Sequence, residues 1–249
     1  MSKDTSWENV HEWYDRSVGK EGHYYHQNVI IPRMLTLLDN VKSLLDVGCG
    51  QGIFARKVDK KVSYTGIDIS PGLIAKAKSL TPWRRDNFIV QNAEKPFPNK
   101  EKTFSHAVVI LALQNMENPK IVLKNIHQAL EENGKLIIVL NHPCFRIPRM
   151  SGWHIDPKKK LQSRRIDSYM SSIEIPIHAH PSEGEQSSQS ISFHHPLSYY
   201  SKVLHEIGFA IDLLEEWCSD KTSTGKVAKM ENRARKEFPL FLAIVAKKI

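Results

Sequence analysis

Cysteine is scarce in this chain: Cys49, Cys144 and Cys218 lie far apart and form no C-x-x-C pair. That argues against a disulfide framework and a thiolate zinc site, and leaves three free thiols. Nowhere does a run approach the ~18 to 20 apolar residues of a membrane span, so none is expected. The opening MSKDTSWENVHEWYDRS has no apolar stretch and no small-residue cleavage site, which argues against a secretory signal and predicts a soluble, cytoplasmic protein. Acid is also in deficit, with 27 Asp and Glu against 35 Lys and Arg, a net charge of +8. Such an excess favours acidic partners without specifying a fold. No internal repeat is visible.

What is present is an alternation. From Ser43 to about Leu140, short apolar runs (SLLDV, VSYTGID, NFIVQ, HAVVILAL, KLIIVLN) alternate with helical patterns. Near-continuous apolar strands separated by helices predict an α/β fold with a parallel sheet. One helix is predicted over Asn118–Glu132, with Ile121, Ile126, Ala129 and Leu130 near one face and Asn133-Gly134 as its stop. A second runs over Ser70–Ser79, with Ser70 as N-cap and Pro71 in the first turn. YYHQNVIIPRMLTLL reads as a helix broken or begun near Pro32 that packs over the first strand. Residues 143–197 show little periodicity and are longer than an ordinary connection, so a lid or binding segment is expected there. Regular structure resumes with a helix closing at Gly208, then AIDLLEEW and a final strand LFLAIVAKK.

The stretch LLDVGCGQGIF raises the functional question, because Gly48, Gly50 and Gly52 follow directly on a strand that holds Asp46. A dinucleotide fingerprint G-x-G-x-x-G needs a glycine where Ile53 stands. The pattern is instead D-x-G-x-G-x-G. It resembles motif I of the class I S-adenosylmethionine-dependent methyltransferases, and the likeness runs over roughly residues 10–140. The HPCF and FHHPLSYY segments are also similar to small-molecule members of the methyltransferase-11/25 type. The resemblance implies a Rossmann-like α/β fold. Its sheet has seven strands, mostly parallel with the last antiparallel, helices on both faces and a lid insert after the fifth strand. Domain bounds follow: a helical cap over 1–40, and a methyltransferase domain over 41–249 with the lid at 143–197.

By the same resemblance the cofactor is S-adenosylmethionine, left as S-adenosylhomocysteine. Gly48, Cys49, Gly50 and Gly52 would lie along its methionine and ribose part, and Asp46 would help place its ammonium. Asp68 ends the second strand about 20 residues on, where an acid grips two ribose hydroxyls. Ile69 would pack on the adenine, Asn92, Ala93 and Glu94 would reach the adenine edge, and Leu111 would complete the set. Two departures stand out. Asn92-Ala93 replaces the family's usual Asp-Ala, so either the Asn92 amide offers its oxygen to the adenine amine or the contact passes to Glu94. Phe104-Ser105 replaces the usual Phe-Asp.

Methyl transfer from a sulfonium needs alignment and exclusion of water more than a catalytic triad. If the acceptor must lose a proton, histidine suits the task. Six of the 12 histidines lie between residues 142 and 195. His142, just past the fifth strand, and His195, where the insert rejoins the sheet, are the general-base candidates. Tyr14, Tyr24, Phe145, Trp153 and His194 are the expected acceptor-pocket residues, with Tyr169 beside them. No spacing matches a metal ligand set. The expected partner is a small-molecule acceptor, with acidic and lipid-like compounds among the options. The rival is nucleic acid, supported by Arg146, Arg149, Lys158, Lys159, Lys160, Arg164 and Arg165 and by KVAKMENRARK. Against it, the fourth strand ends in LALQNM rather than an Asn/Asp-Pro-Pro-aromatic motif. A non-catalytic scaffold is a third class, disfavoured by the intact Asp46, Gly48, Gly50 and Asp68.

Overall fold

The computed structural model describes residues 7–8, 18–97, 103–178 and 189–249. Its strands in chain order are β1 (Ser43–Val47), β2 (Ser63–Asp68), β3 (Phe88–Val90), β4 (Phe104–Ile110) and β5 (Leu130–Asn141). There follow β6 (Ser151–Asp156), β7 (Leu161–Ile166), β8 (Ile173–His178), β9 (Gln189–His194), β10 (Phe209–Trp217) and β11 (Phe241–Lys248). One seven-stranded sheet takes the order β10-β11-β5-β4-β1-β2-β3. Strands β1 to β5 pair in parallel, and only the last strand, β11, runs against its neighbours. This is the doubly wound sheet expected from the alternating pattern. The chain reverses its order between β1 and β4, where an open sheet of this kind leaves a crevice beyond its strand tips.

Period-2 alternation divides the core between the two faces. Leu45, Val47, Leu136, Ile138 and Leu140 pack on one side, against helices α3 (Pro119–Ala129) and α4 (Leu197–Ile207). Leu44, Ile137 and Val139 pack on the other, against α1 (Ile31–Leu37) and α2 (Pro71–Leu80). The first of these opens as a π-helical turn, His26–Ile30, and continues as α1 with Pro32 in its first turn. Ser70 caps α2 as expected, its Oγ accepting the Leu73 N–H at 3.1 Å. A last helix, α5 (Ala228–Glu237), precedes β11.

Two expectations require correction. Helix α3 stops at Ala129, because Leu130 is already extended (φ −76°, ψ 141°) and opens β5. Asn133-Gly134 therefore sits in a register shift inside β5 rather than ending a helix. Ile121 is 45% exposed, while the buried stripe runs through Val122, Leu123, Ile126 and Ala129.

The insert is also more regular than its composition suggests. It holds two antiparallel hairpins, β6–β7 and β8–β9, each a two-stranded sheet of its own. The first is largely solvent-facing, so no apolar alternation marks it; Asp156 closes its turn by accepting the Lys159 N–H at 3.0 Å. The second is tucked inward, with Ile175, Ser190, Ser192, Phe193 and His194 buried.

Candidate functional site

The tips of β1 to β5 open on a cavity of about 620 Å³, a volume suited to a small molecule and its partner. Gly48 and Gly50 line it from β1, Asp68 and Ile69 from β2, Asn92, Ala93 and Glu94 beyond β3, Leu111 beyond β4, and Asn141 from β5. The glycine turn is fastened to β2: the N–H groups of Gly48 and Cys49 both donate to the Ile67 carbonyl, at 2.8 and 3.0 Å. Gly48 has φ +74°, and a Cβ there would sit 2.4 Å from the Ala112 Cβ. Side chains are thus excluded at this bend first by the protein's own β4 segment, and the bare backbone this leaves faces the cavity. Gly52 serves packing instead. It does not line the cavity, and a Cβ on it would meet the Phe88 ring at 3.0 Å and Ala77 at 3.2 Å.

Asp68 is held in a fixed orientation. Its Oδ2 accepts the Gly50 N–H and its Oδ1 the Ser70 N–H, both at 2.9 Å. Each oxygen has lone pairs left for a ligand hydroxyl. Burial pushes this carboxyl up; the Ser70 and Gly50 amides pull it back, and Glu8 nearby raises it further. Glu8 accepts the Gly72 N–H at 3.1 Å and the Ser70 hydroxyl, which places a carboxylate at the start of α2.

Asp46 lies beneath the turn rather than in the cavity wall, only 2% exposed, and takes the Tyr64 hydroxyl on Oδ2 at 2.6 Å. Burial pushes its carboxyl up to about 7, against the pull of Tyr64. Cys49 is likewise outside the wall; burial drives its thiol well up, and its sulfur lies 3.0 Å from where a Gly66 Cβ would stand.

The loop after β3 is braced from α3. Asn125, buried, donates to the carbonyls of Ala93 (2.8 Å) and Lys95 (3.0 Å). Glu94 spends its carboxylate on Asn118, accepting the backbone N–H at 3.0 Å and Nδ2 at 2.9 Å. The Asn92 oxygen, expected to take an adenine amine, accepts the Glu94 N–H at 2.8 Å, so its NH2 is the group left for the cavity.

Residues 45–138 match the family model described as a methyltransferase domain. The likeness is to a methyltransferase domain and covers this stretch of the chain. S-adenosylmethionine is the cofactor that this likeness implies. The chain is 30% identical over 105 residues to a demethylmenaquinone methyltransferase of Tropheryma whipplei, covering 41% of this chain and 43% of that protein. It is 32% identical over 132 residues to malonyl-[acyl-carrier protein] O-methyltransferase 1 of Ilyobacter polytropus, covering 50% and 47%. The chain thus spans less than half the length of these curated relatives. Among solved structures, a S-adenosylmethionine dependent methyltransferase from Mesorhizobium loti superposes with a TM-score of 0.69 at 24% identity, over 92% of this chain and 100% of that one. That likeness is one of fold.

The cavity fits such a cofactor on the structure's own terms. It offers a bare-backbone bend, an oriented carboxylate at the β2 tip, apolar Ile69 and Leu111 flanking it, and an amide donor in Asn92.

The catalytic and acceptor residues expected from sequence lie elsewhere. His142 is buried behind β5, its Nε2 2.7 Å from Glu216 Oε1 and its Nδ1 accepting the Cys144 N–H at 3.2 Å. With both nitrogens engaged, and burial lowering its basicity against the pull of Glu216, it ties β5 to β10. His195 stacks on Tyr199 at 4.0 Å and meets Ser172 through Nδ1 at 3.0 Å. His194 reaches the Tyr169 carbonyl at 2.8 Å. Phe145 packs between His142 and Phe238, and Trp153 lies against Phe238 and under Arg164. Tyr24 donates to Asp220 at 3.0 Å. None of these lines the cavity. Tyr14 lies outside the described residues.

Three insert residues do line the cavity: Pro148, Ile177 and Ser192. With them come Trp7, His26 and Gln114, which sequence reasoning missed. His26 sits in a segment whose apolar pattern announced only a helix, and no spacing tied it to the glycine turn. The basic cluster is partly spent on packing: Arg164 donates to the Phe145 carbonyl and to Ser151, and Arg146, half-buried, lies over Phe241. Among the described residues no lysine or arginine lines the cavity, and no helix is long and apolar enough to cross a membrane.

Proposed function

We propose that this protein transfers a methyl group from S-adenosylmethionine to a small-molecule acceptor held between the strand tips and the β8–β9 hairpin. The observation that carries the reading is the meeting of the Gly48–Gly50 bend and the Asp68 carboxylate on one cavity at the switch point of the sheet. When bound, the cofactor supplies an electrophilic methyl on a sulfonium. Asp68 receives the ribose hydroxyls, with its oxygens held in place by the Gly50 and Ser70 amides. Ile69 and Leu111 offer apolar surface, and Asn92 an amide donor, to the base. Gly48 and Gly50 let the backbone approach closely, and Asp46 beneath them gives the turn its negative side. Pro148, Ile177 and Ser192 cover the opposite end, so residues 143–197 act as the lid that excludes water.

The absence of lysine and arginine from the described cavity wall favours an uncharged acceptor over an acidic one or a nucleic-acid phosphate. The experiment is a calorimetric titration of the purified chain with S-adenosylhomocysteine and, separately, with a nicotinamide dinucleotide. Saturable binding of the first alone is the expected result; binding of the second alone sinks the proposal. Label from methyl-tritiated cofactor should then enter the low-molecular-mass fraction of a cell extract and not its nucleic acid.

A further inference from the structure

We propose that His26 contacts the acceptor, donating its Nε2–H to the oxygen of a neutral phenol- or enol-type hydroxyl rather than removing the proton as a base. The inference rests on the methyl-transfer reading and deepens it. His26 opens the π-helical turn His26–Ile30, which is anchored by the buried Val29 and Ile30. Single π turns recur at functional sites, where they aim a side chain that a regular helix would point elsewhere. Its imidazole lines the same cavity as Gly48, Gly50 and Asp68.

The tautomer follows from one contact. The His23 N–H reaches His26 Nδ1 at 3.3 Å, so Nδ1 is the acceptor and the proton of the neutral ring sits on Nε2. Burial lowers the imidazole to about 4, with His23 adding to the effect; the two rings lie 5.0 Å apart. The charged groups sharing the cavity are acids. Asp68 is committed to Gly50 and Ser70, Glu94 to Asn118, and Glu117 is exposed. The ring is therefore neutral throughout the physiological range, able to donate and a poor base.

A second donor stands in the same wall. Gln114 uses its Oε1 to accept the Asn141 N–H at 3.2 Å, which leaves its NH2. Around these donors the wall is apolar, with Ile110, Leu111, Ala112, Pro148 and Ile177. Donors set in apolar surface favour the ionised form of a hydroxyl. The hydroxyl proton leaves to bulk water, and the oxygen keeps the electron pair that forms the new bond to carbon. No protein base is then required.

The test needs no knowledge of the natural acceptor. With S-adenosylhomocysteine bound, 4-nitrophenol serves as a probe whose ionisation is read by absorbance near 400 nm. Wild type should bind it and raise its ionised fraction at least threefold at a pH one unit below the free probe's midpoint. His26→Gln, which keeps an N–H donor but cannot take a proton, should preserve most of that rise, and His26→Leu should abolish it. Equal ionisation in wild type and His26→Leu overturns the proposal, as does failure of wild type to take up the probe. Nitrogen-15 NMR of wild type gives a reading independent of any variant's folding: a proton on Nδ1, or titration near 6.5, also overturns it. Failure to bind S-adenosylhomocysteine counts instead against the methyl-transfer reading.

Discussion

The strand tips of β1 to β5 and the insert over 143–197 face one cavity, yet they are built on opposite terms. At the tips, backbone carries the site: a glycine bend, two amides on Asp68, and carbonyls pinned by Asn125. In the insert, side chains carry it, on hairpins whose own contacts absorb Trp153, Arg164 and His194. A site made of backbone tolerates few replacements, because every added atom meets the sheet. A wall made of side chains can be re-lined without disturbing what lies beneath. The difference suits an enzyme whose cofactor is fixed and whose acceptor is set by the chain that covers it.

The sharpest way to break this comparison is to add one methyl group in each region. Gly48→Ala puts a Cβ 2.4 Å from Ala112 at φ +74°, so both overpacking and left-handed strain apply. A loss of about 2–5 kcal/mol is expected in chemical denaturation, with cofactor binding lost. Gly152→Ala in β6 meets nothing within 4 Å and should change stability by no more than about 0.5 kcal/mol. Equal effects at the two positions would remove the distinction.

Next in size is Asp68→Ala. It removes the acceptor for any ribose hydroxyl and frees the Gly50 and Ser70 amides that shape the bend. Charge-assisted hydrogen bonds are worth about 1.5–3 kcal/mol each, so losing two should lower affinity for S-adenosylhomocysteine by at least about 100-fold in calorimetry. Trp153→Ala, in the insert and outside the cavity wall, should leave that affinity within about twofold.

The same contrast explains what could be read in advance. The sheet was legible because strands buried on both faces leave near-continuous apolar runs, and Gly48, Gly50 and Asp68 were legible because their spacing is tied to strand tips. Gly52 shares that spacing, and only the position of Phe88 shows that it serves packing. The hairpins were not legible. No residue of β6 or β7 is buried, so their alternation never contrasts a core face with a solvent face. His142 stands outside the cavity wall for a related reason. Its place just past β5 is where ligand-binding residues gather, but Glu216, far away in sequence, claims the ring. His26 went unseen because it enters the cavity from a segment with no spacing relation to the glycine turn.

Asp46 gives a smaller effect of particular sign. Its folded-state carboxyl is raised to about 7, so the stability it contributes is present below the ordinary carboxylate range and is lost as pH rises towards 7. Asp46→Asn keeps an acceptor for Tyr64 and removes the cost of ionisation. It should stabilise the empty protein by about 1–3 kcal/mol at pH 8 and by almost nothing at pH 4, read from denaturation midpoints. The same variant should bind S-adenosylhomocysteine more weakly if this carboxylate balances the ligand's ammonium from beneath the turn. Stability and affinity would then move in opposite directions, as they do when a buried charge is kept for binding.

The smallest effect falls in the insert. Asp156→Ala removes the side-chain acceptor of the Lys159 N–H and should cost the β6–β7 hairpin about 0.5–1 kcal/mol. Amide exchange in Ser151–Asp156 and Leu161–Ile166 should quicken by about two- to fivefold, while exchange in β1 and β4 and the affinity for S-adenosylhomocysteine stay unchanged. If exchange in β1 rises equally, the hairpin is stabilised together with the sheet, and the insert is no separately adjustable wall. If only the hairpin loosens, the two regions are energetically distinct, and the acceptor side can vary while the cofactor side stays fixed.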